Sequence, residues 1–367
     1  MSVRIDDICT YALKSGIKAG DATKDGQYMF FTSGEDESKR YTDYQYDGEG
    51  IIMGTGGNAT LHYYHGKYAV STDCIVLNPD DRLRCKYLYY FFLANMPILE
   101  AGFKGAGLKH TNKKYIGSIT IPEIPPFDEQ DLIIGVLDKI SGIINTRNLE
   151  IAALDDMIKA RFVEMFGDPD TNPMRWPEHI LSEMLDVLGG YAFKSDGFSD
   201  ADGIPVLRIG NINAGFFKPM NMVFWEEDDS LERYIMYPGD LVMSLTGTVG
   251  KDDYGNVCIL GNDYSKYYLN QRNAKLELKE GLNKHYLSQL LRFEKIKKRL
   301  TGISRGVRQA NISNKDILNL RVPIPPLELQ QQFASFVAQI DKSKSVIQKS
   351  LDETQLLFDS LMQKYFG

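Results

Sequence analysis

The chain has 367 residues, 43% of them hydrophobic and 25% charged, with a formal net charge of −7 at pH 7. Such a length holds two or three domains with real cores, and a net negative charge argues against a protein that coats nucleic acid non-specifically. The start Met1-Ser2-Val3-Arg4-Ile5-Asp6 lacks the apolar core of a signal peptide, and no stretch approaches about 18 apolar residues. Cys9, Cys74, Cys85 and Cys258 show neither a CxxC pair nor zinc spacing, so buried thiols in a cytoplasmic chain are expected.

In chain order, residues 1–124 read as an α+β domain. Residues 3–8 make a short amphipathic start, 27–32 a strand, and 51–53 a second strand ending in the turn Gly54-Thr55-Gly56-Gly57-Asn58. Residues 68–70 and 74–77 continue the strand pattern. A helix begins at Tyr87 and breaks before Pro97.

Residues 125–167 form a different kind of segment, and the chain writes it twice. Pro125-Pro126 opens a run that closes on Phe166-Gly167; Pro325-Pro326 opens a second that closes on Phe366-Gly367, with Gln130 and Ile140 recurring as Gln330 and Ile340. Steps of four and three residues read Ile133, Leu137, Ile140, Ile144, Arg147, Ile151, Leu154, Ile158, Arg161 and Met165 in the first copy. The second copy reads Phe333, Val337, Ile340, Lys344, Ile347, Leu351, Thr354, Phe358, Leu361 and Tyr365. That spacing lines one seam of a helix. The proline pairs cannot lie inside the helices and the glycines suit their C-terminal caps. A run of roughly 38 residues at ~1.5 Å each makes a rod of about 57 Å. Neither rod could bury its seam alone, so the expected fold is α+β: two similar globular domains, 1–124 and 168–324, separated by two long helices, 125–167 and 325–367. The helices pair as an antiparallel coiled coil in a pseudo-twofold tandem repeat. Two surface helices on separate cores are the alternative. The polar seam residues Arg147, Arg161, Lys344 and Thr354 would set register.

Between the helices, three prolines within residues 168–177 mark a linker. The second domain then repeats the first in outline: 204–209 stands for the Tyr28 strand, 239–243 for 51–53, 247–251 for the glycine turn, and Tyr286-Leu287 for Tyr87-Leu88. Lys315 and Ile317 answer Lys114 and Ile116.

Several enzyme chemistries lack their residues. An adenine amino-methyltransferase needs a polar residue before Pro-Pro-aromatic, and Ile124 and Ile324 stand there; a P-loop needs glycine where Leu245 stands. Asp263 with Glu277 and Lys279 loosely fits a metal nuclease, a spacing that arises often by chance. His62 and His65 point to opposite faces of a strand, which favours a surface pair over a metal site.

Basic loops remain. Residues 284–315 hold nine Lys or Arg against Glu294 alone, and 103–114 hold four Lys and no acid. A solvated helix face would look the same by charge. The turns around Asn58, Thr60, Thr248 and Lys251 are equivalent in the two domains. So are the loops carrying Lys109, His110, Asn112, Lys113 and Lys114 in one, and Ser304, Arg305, Arg308, Gln309 and Asn311 in the other. Lys and Arg contact phosphates or guanine, and Asn and Gln can read adenine in the major groove. Tyr63, Tyr64, Tyr267 and Tyr268 could stack on bases, although core packing accounts for most such tyrosines.

The chain resembles the specificity subunit of type I restriction-modification systems. The residues carrying the resemblance are the two Pro-Pro-x-x-x-Gln openings and the junction Phe166-Gly167-Asp168-Pro169, Asn172 and Trp176. To these are added the run 237–242 with Gly247, Gly250 and Lys251, and Leu269-Asn270-Gln271-Arg272. The first half departs in having Ser71-Thr72-Asp73 where the second has Asn270-Gln271-Arg272.

The resemblance implies a non-catalytic subunit with no cofactor of its own. Two target recognition domains would each read one half of a split, asymmetric site on double-stranded DNA, with Arg272 joining the loop residues above. The helices would act as spacer and as docking surface for two modification subunits. These would be adenine methyltransferases that bind S-adenosylmethionine and flip the base. The resemblance leaves open whether restriction subunits using ATP and Mg join them. A rod of about 57 Å caps the spacer at roughly 17 base pairs. A stand-alone metal-dependent endonuclease and a bivalent protein scaffold are the competing readings.

Overall fold

A computed structural model of the chain describes residues 2–105, 107, 109–212, 216–248, 253–302 and 309–367. Its contacts divide the chain into two units: Met1–Leu149 with Gln348–Gly367, and Glu150–Ile347. Each unit therefore holds one globular domain, the start of one long helix and the end of the other.

In the first unit, six strands form one sheet in the order Cys9–Tyr11, Cys74–Pro79, Tyr46–Gly54, Leu61–Val70, Tyr28–Phe31, Arg40–Tyr41. The central hairpin pairs Tyr46 with Tyr68 and Met53 with Leu61, and Tyr28–Phe31 runs parallel to Leu61–Val70. Ile51, Ile52, Leu77 and Val70 are buried in it. The helix Cys85–Ala94 lays Leu88, Phe91 and Phe92 into one core with Ile51 and Leu77, while Ile52 and Val70 belong to a second cluster. Asn95 ends that helix, its amide donating to Phe91 O at 2.9 Å, and Pro97 starts the next one, Met96–Glu100.

The second unit repeats this order with its two longest strands broken. Leu185–Gly189, Asn273–Leu278, Leu241–Ser244 and Val257–Ile259 form one sheet. Ile235–Met236, Tyr267–Leu269, Ile204–Leu207 and Val223–Trp225 form another. Residues 46–54 correspond to 235–236 plus 241–244, and residues 61–70 to 257–259 plus 267–269. The parallel pair recurs: Phe31 lies opposite Val70, and Leu207 opposite Leu269. The first break has a local cause. Pro238 offers no N–H to a ladder and Gly239 takes φ +88°, so Tyr237-Pro238-Gly239-Asp240 turns, closed by Tyr237 N donating to Asp240 Oδ2 at 2.8 Å. The strand expected at 239–243 accordingly starts at Leu241, and the one expected over 204–209 ends at Leu207, where a 3₁₀ turn takes over.

The stretch 168–177 is more than a linker. Trp176 Nε1 donates to Phe166 O at 3.0 Å, and the Asn172 side chain bonds Trp176 N and O, both at 2.9 Å. Asp170 pairs with Arg299 at 2.6 Å and Lys295 at 3.2 Å. Prolines shape this junction; its hydrogen bonds hold it on the second unit.

The long helices run Phe127–Phe166 and Leu327–Phe366. In the first unit Ile133 and Leu137 share a buried cluster with Met362 and Phe366, and Phe366 packs on Tyr87 with ring centroids 5.1 Å apart. In the second, Phe166 packs on Tyr286 at 4.9 Å, Phe162 meets Phe333 at 5.4 Å, and Lys344 pairs with Asp155 at 2.6 Å. Toward the helix middles the half-buried positions are Ile144, Arg147, Ile151 and Leu154 in one, joined by Glu150. In the other they are Ile340, Lys344, Ile347, Leu351, Thr354, Phe358 and Leu361, joined by Ser350. No helix of the described residues is long and apolar enough to cross a membrane.

Candidate nucleic-acid interface

In each unit the glycine turn and the basic loop, far apart in sequence, come together. In the first, Gly56 forms a bridge with His110, Gly57 N donates to Lys109 O at 2.9 Å, and Thr111 N to Thr55 O at 3.0 Å. Lys104 and His110 close the loop by exchanging backbone hydrogen bonds of 3.0 Å each. Gly57 takes φ +86°, a left-handed conformation that L side chains resist. In the second unit Thr246–Thr248 pairs antiparallel with Gln309–Asn311, and Ile312 N donates to Leu245 O at 2.8 Å.

The third partner is equivalent too. Thr55 N donates to Asp73 O at 2.8 Å, and Leu245 N to Arg272 O at 2.8 Å. Each site thus joins three segments by the same backbone bonds. The junction is followed by a short helix, capped by Asn112 in one unit and by Ser313 in the other.

Asn58, Lys109, His110, Asn112, Lys113 and Lys114 are exposed around the first junction, and Thr248, Arg272 and Asn311 around the second. Two have structural duties as well: Asn112 Oδ1 accepts from Tyr115 N at 3.0 Å, and Lys113 Nζ lies 4.8 Å from the centre of the Tyr11 ring. Thr60 does not belong to this surface. It is only 6% exposed, its hydroxyl turned inside without a partner among the described residues, because it closes the strand end through its carbonyl to Gly54 N. Lys251, Ser304, Arg305 and Arg308 lie outside the described residues, and Gln309 enters through its backbone. Lys104 belongs to the same basic run, and its pairing with His110 depends on a loop closure that charge alone does not report.

The basic run 284–299 is largely occupied within its own unit. Lys284 Nζ donates to Gly239 O at 2.9 Å, Lys297 Nζ to Asn256 Oδ1 at 2.7 Å, Lys298 pairs with Glu294, and Lys295 and Arg299 hold Asp170. Arg299 above all, with Lys295, keeps the Asp170 carboxyl below the usual carboxylate range. These charges serve the fold first.

The other chemical candidates resolve similarly. Glu277 lies 3.6 Å from Lys275 and Lys279 pairs with Asp186 at 3.1 Å. Among the described residues no three His, Cys, Asp or Glu side chains come together as a metal would need. His62 is not on the surface: it is buried between Glu37 Oε1 at 2.8 Å and Gly34 O at 3.2 Å, while His65 is exposed. Tyr267 and Tyr268 are core residues, and the Tyr63 hydroxyl is taken by Glu49.

A family model described as "Type I restriction modification DNA specificity domain" matches residues 1–153 and again 173–354. The chain is similar to the type I restriction enzyme MjaVIII specificity subunit of Methanocaldococcus jannaschii, at 27% identity over 329 residues. That alignment covers 83% of this chain and 75% of the relative. It is also similar to the type I restriction enzyme EcoKI specificity subunit of Escherichia coli, at 23% over 311 residues, covering 79% and 66%. In fold it resembles a crystal structure of the S subunit of a type I restriction-modification system from M. genitalium. The TM-score is 0.63 at 16% identity, over 100% of this chain and 96% of that one.

Proposed function

Since the chain belongs to the type I restriction-modification DNA specificity family, we propose that each of its two domains reads one half of a split, asymmetric DNA site. The protein is the DNA-recognition component of a restriction-modification complex and not its enzyme. The observation that carries the two-headed reading is the duplicated junction. Three segments meet through the same backbone bonds in both units, while the exposed side chains around them differ: Lys109 and His110 on one side, Arg272 and Asn311 on the other. A common scaffold with unlike exposed groups suits a reader of two unlike half-sites.

The long helices act in this reading as an antiparallel coiled-coil spacer. Support comes from each unit separately, where a helix start and the other helix's end share one core, and from the seven-residue rhythm of half-buried positions. The pairing residues are Ile133, Leu137, Ile140, Ile144, Ile151, Leu154 and Ile158 with Phe333, Val337, Ile340, Ile347, Leu351, Phe358 and Leu361. The outward faces carry exposed Leu132, Ile143, Leu149 and Met157, and Val346, Leu356 and Leu357, which suit docking of modification subunits. Those partners would bring S-adenosylmethionine and adenine methylation. Restriction subunits, where present, would bring ATP and Mg.

Sequencing methylated adenines in cells that express this chain with its methyltransferase partner tests the proposal. A two-part motif is expected, and replacing residues 168–324 with a homologue's should change one half only. A change in both halves, or methylation without a motif, would defeat it.

A further inference from the structure

Asp73 and Arg272 occupy the same place in the two domains. Thr55 N donates to Asp73 O and Leu245 N to Arg272 O, each at 2.8 Å, and Thr55 and Leu245 accept in turn from Thr111 N and Ile312 N. These contacts use only the main chain of Asp73 and Arg272, so the fold does not select their side chains. Both side chains are exposed beside the joined loops. Among the described residues the Asp73 carboxylate accepts only a long bond of 3.5 Å, from the Thr72 hydroxyl.

A carboxylate on a segment joined through Thr55 to the loop that carries Lys104, Lys109 and His110 opposes the attraction those basic residues exert on a phosphate backbone. It has a use at such a position if it accepts a hydrogen bond from a base edge. In the major groove the cytosine N4 amino group is the donor that Asp and Glu take, whereas the arginine fork matches guanine O6 and N7. We infer that Asp73 reads a cytosine in one half-site and that Arg272 reads a guanine in the other. This single repeated position would thus discriminate between bases in each half-site. The inference rests on the split-site reading above.

The test is selection from a randomised duplex library by the full chain with its modification partner, for wild type, Asp73→Ala and Arg272→Ala. Main-chain contacts survive both substitutions, and a melting curve checks the fold. Asp73→Ala should flatten a cytosine preference of roughly tenfold or more at one position of one half-site. Arg272→Ala should flatten a guanine preference in the other half-site by a similar factor. If the wild type enriches a two-part motif and the variants leave it unchanged, the inference is wrong and the split-site reading stands. If Asp73→Ala raises affinity for all duplexes alike, Asp73 only repels and the inference is equally wrong. A wild type that enriches no two-part motif sinks the split-site reading, and this inference with it.

Discussion

Gln130 and Gln330 make the same three hydrogen bonds from equivalent places in the two units. Gln130 Oε1 accepts from Arg84 N at 2.7 Å, and its Nε2 donates to Arg82 O at 3.2 Å and Pro125 O at 2.8 Å. Gln330 Oε1 accepts from Asn283 N at 2.8 Å, and its Nε2 donates to Gly281 O at 3.1 Å and Pro325 O at 2.8 Å. Both side chains are fully buried. Each ties the first turn of a long helix to the residue that caps the domain's own helix.

Truncating either glutamine leaves an amide N–H and two carbonyls without partners in a buried place. Gln130→Ala and Gln330→Ala should each cost about 1–3 kcal/mol. Leucine should not rescue either one, since the backbone groups stay unpaired. Urea unfolding checks this, and an unshifted midpoint would refute the role.

Asp170 predicts a pH dependence. Its carboxyl is held low by Arg299 and Lys295 at the helix-to-domain junction. A lowered folded pKa gives stability that is complete above the unfolded value of about 3.9 and is lost as pH falls through the folded value. Asp170→Asn should therefore lower the melting temperature near neutrality, and the gap to wild type should close below about pH 4. A gap that widens on acidification would contradict the pairing.

The four thiols should be inert in the folded chain. Burial pushes Cys9, Cys85 and Cys258 up to about 12 and Cys74 up to about 11, so almost no thiolate exists near pH 8. Iodoacetamide followed by mass spectrometry should find no adduct on the native protein and four in denaturant. Fast labelling of any one under native conditions would show that its burial is not maintained.

Lys109 and Lys114 are exposed at the first junction, and on the proposed reading they contact phosphates. Replacing either with alanine should weaken DNA binding across all sequences and reduce the salt slope by about one. A changed base preference with the slope intact would mean that the lysine reads a base instead.

On the proposed pairing, deleting one heptad from the middle of each long helix should shorten the spacer by about 10 Å, or about three base pairs. The gap between half-sites in the methylated motif should contract accordingly. An unchanged gap removes the spacer role.

Much of the architecture was legible because it is local or repeated. Pro125-Pro126 and Gly167 bound one helix, Pro325-Pro326 and Gly367 the other, and the four-three rhythm of apolar residues marks a seam without knowledge of what it meets. The duplication was visible for the same reason, since Gln130 and Gln330 stand in identical local frames. The stretch 168–177 misled because proline reports only that a chain turns; that Trp176 Nε1 returns to Phe166 O is a fact about geometry.

The amino-acid order already specified two α+β domains, two long helices and a set of basic loops, since backbone preference and hydrophobic period act over a few residues at a time. It could not say that Thr55 meets both Asp73 and Thr111, that Lys284 and Lys297 are spent on their own domain, or that Phe366 packs on Tyr87. Those are contacts between distant residues, set by strand register and by which helix end closes which core. Folding in three dimensions made the choice because burying the apolar faces permits only one such arrangement of the loops that ride on them.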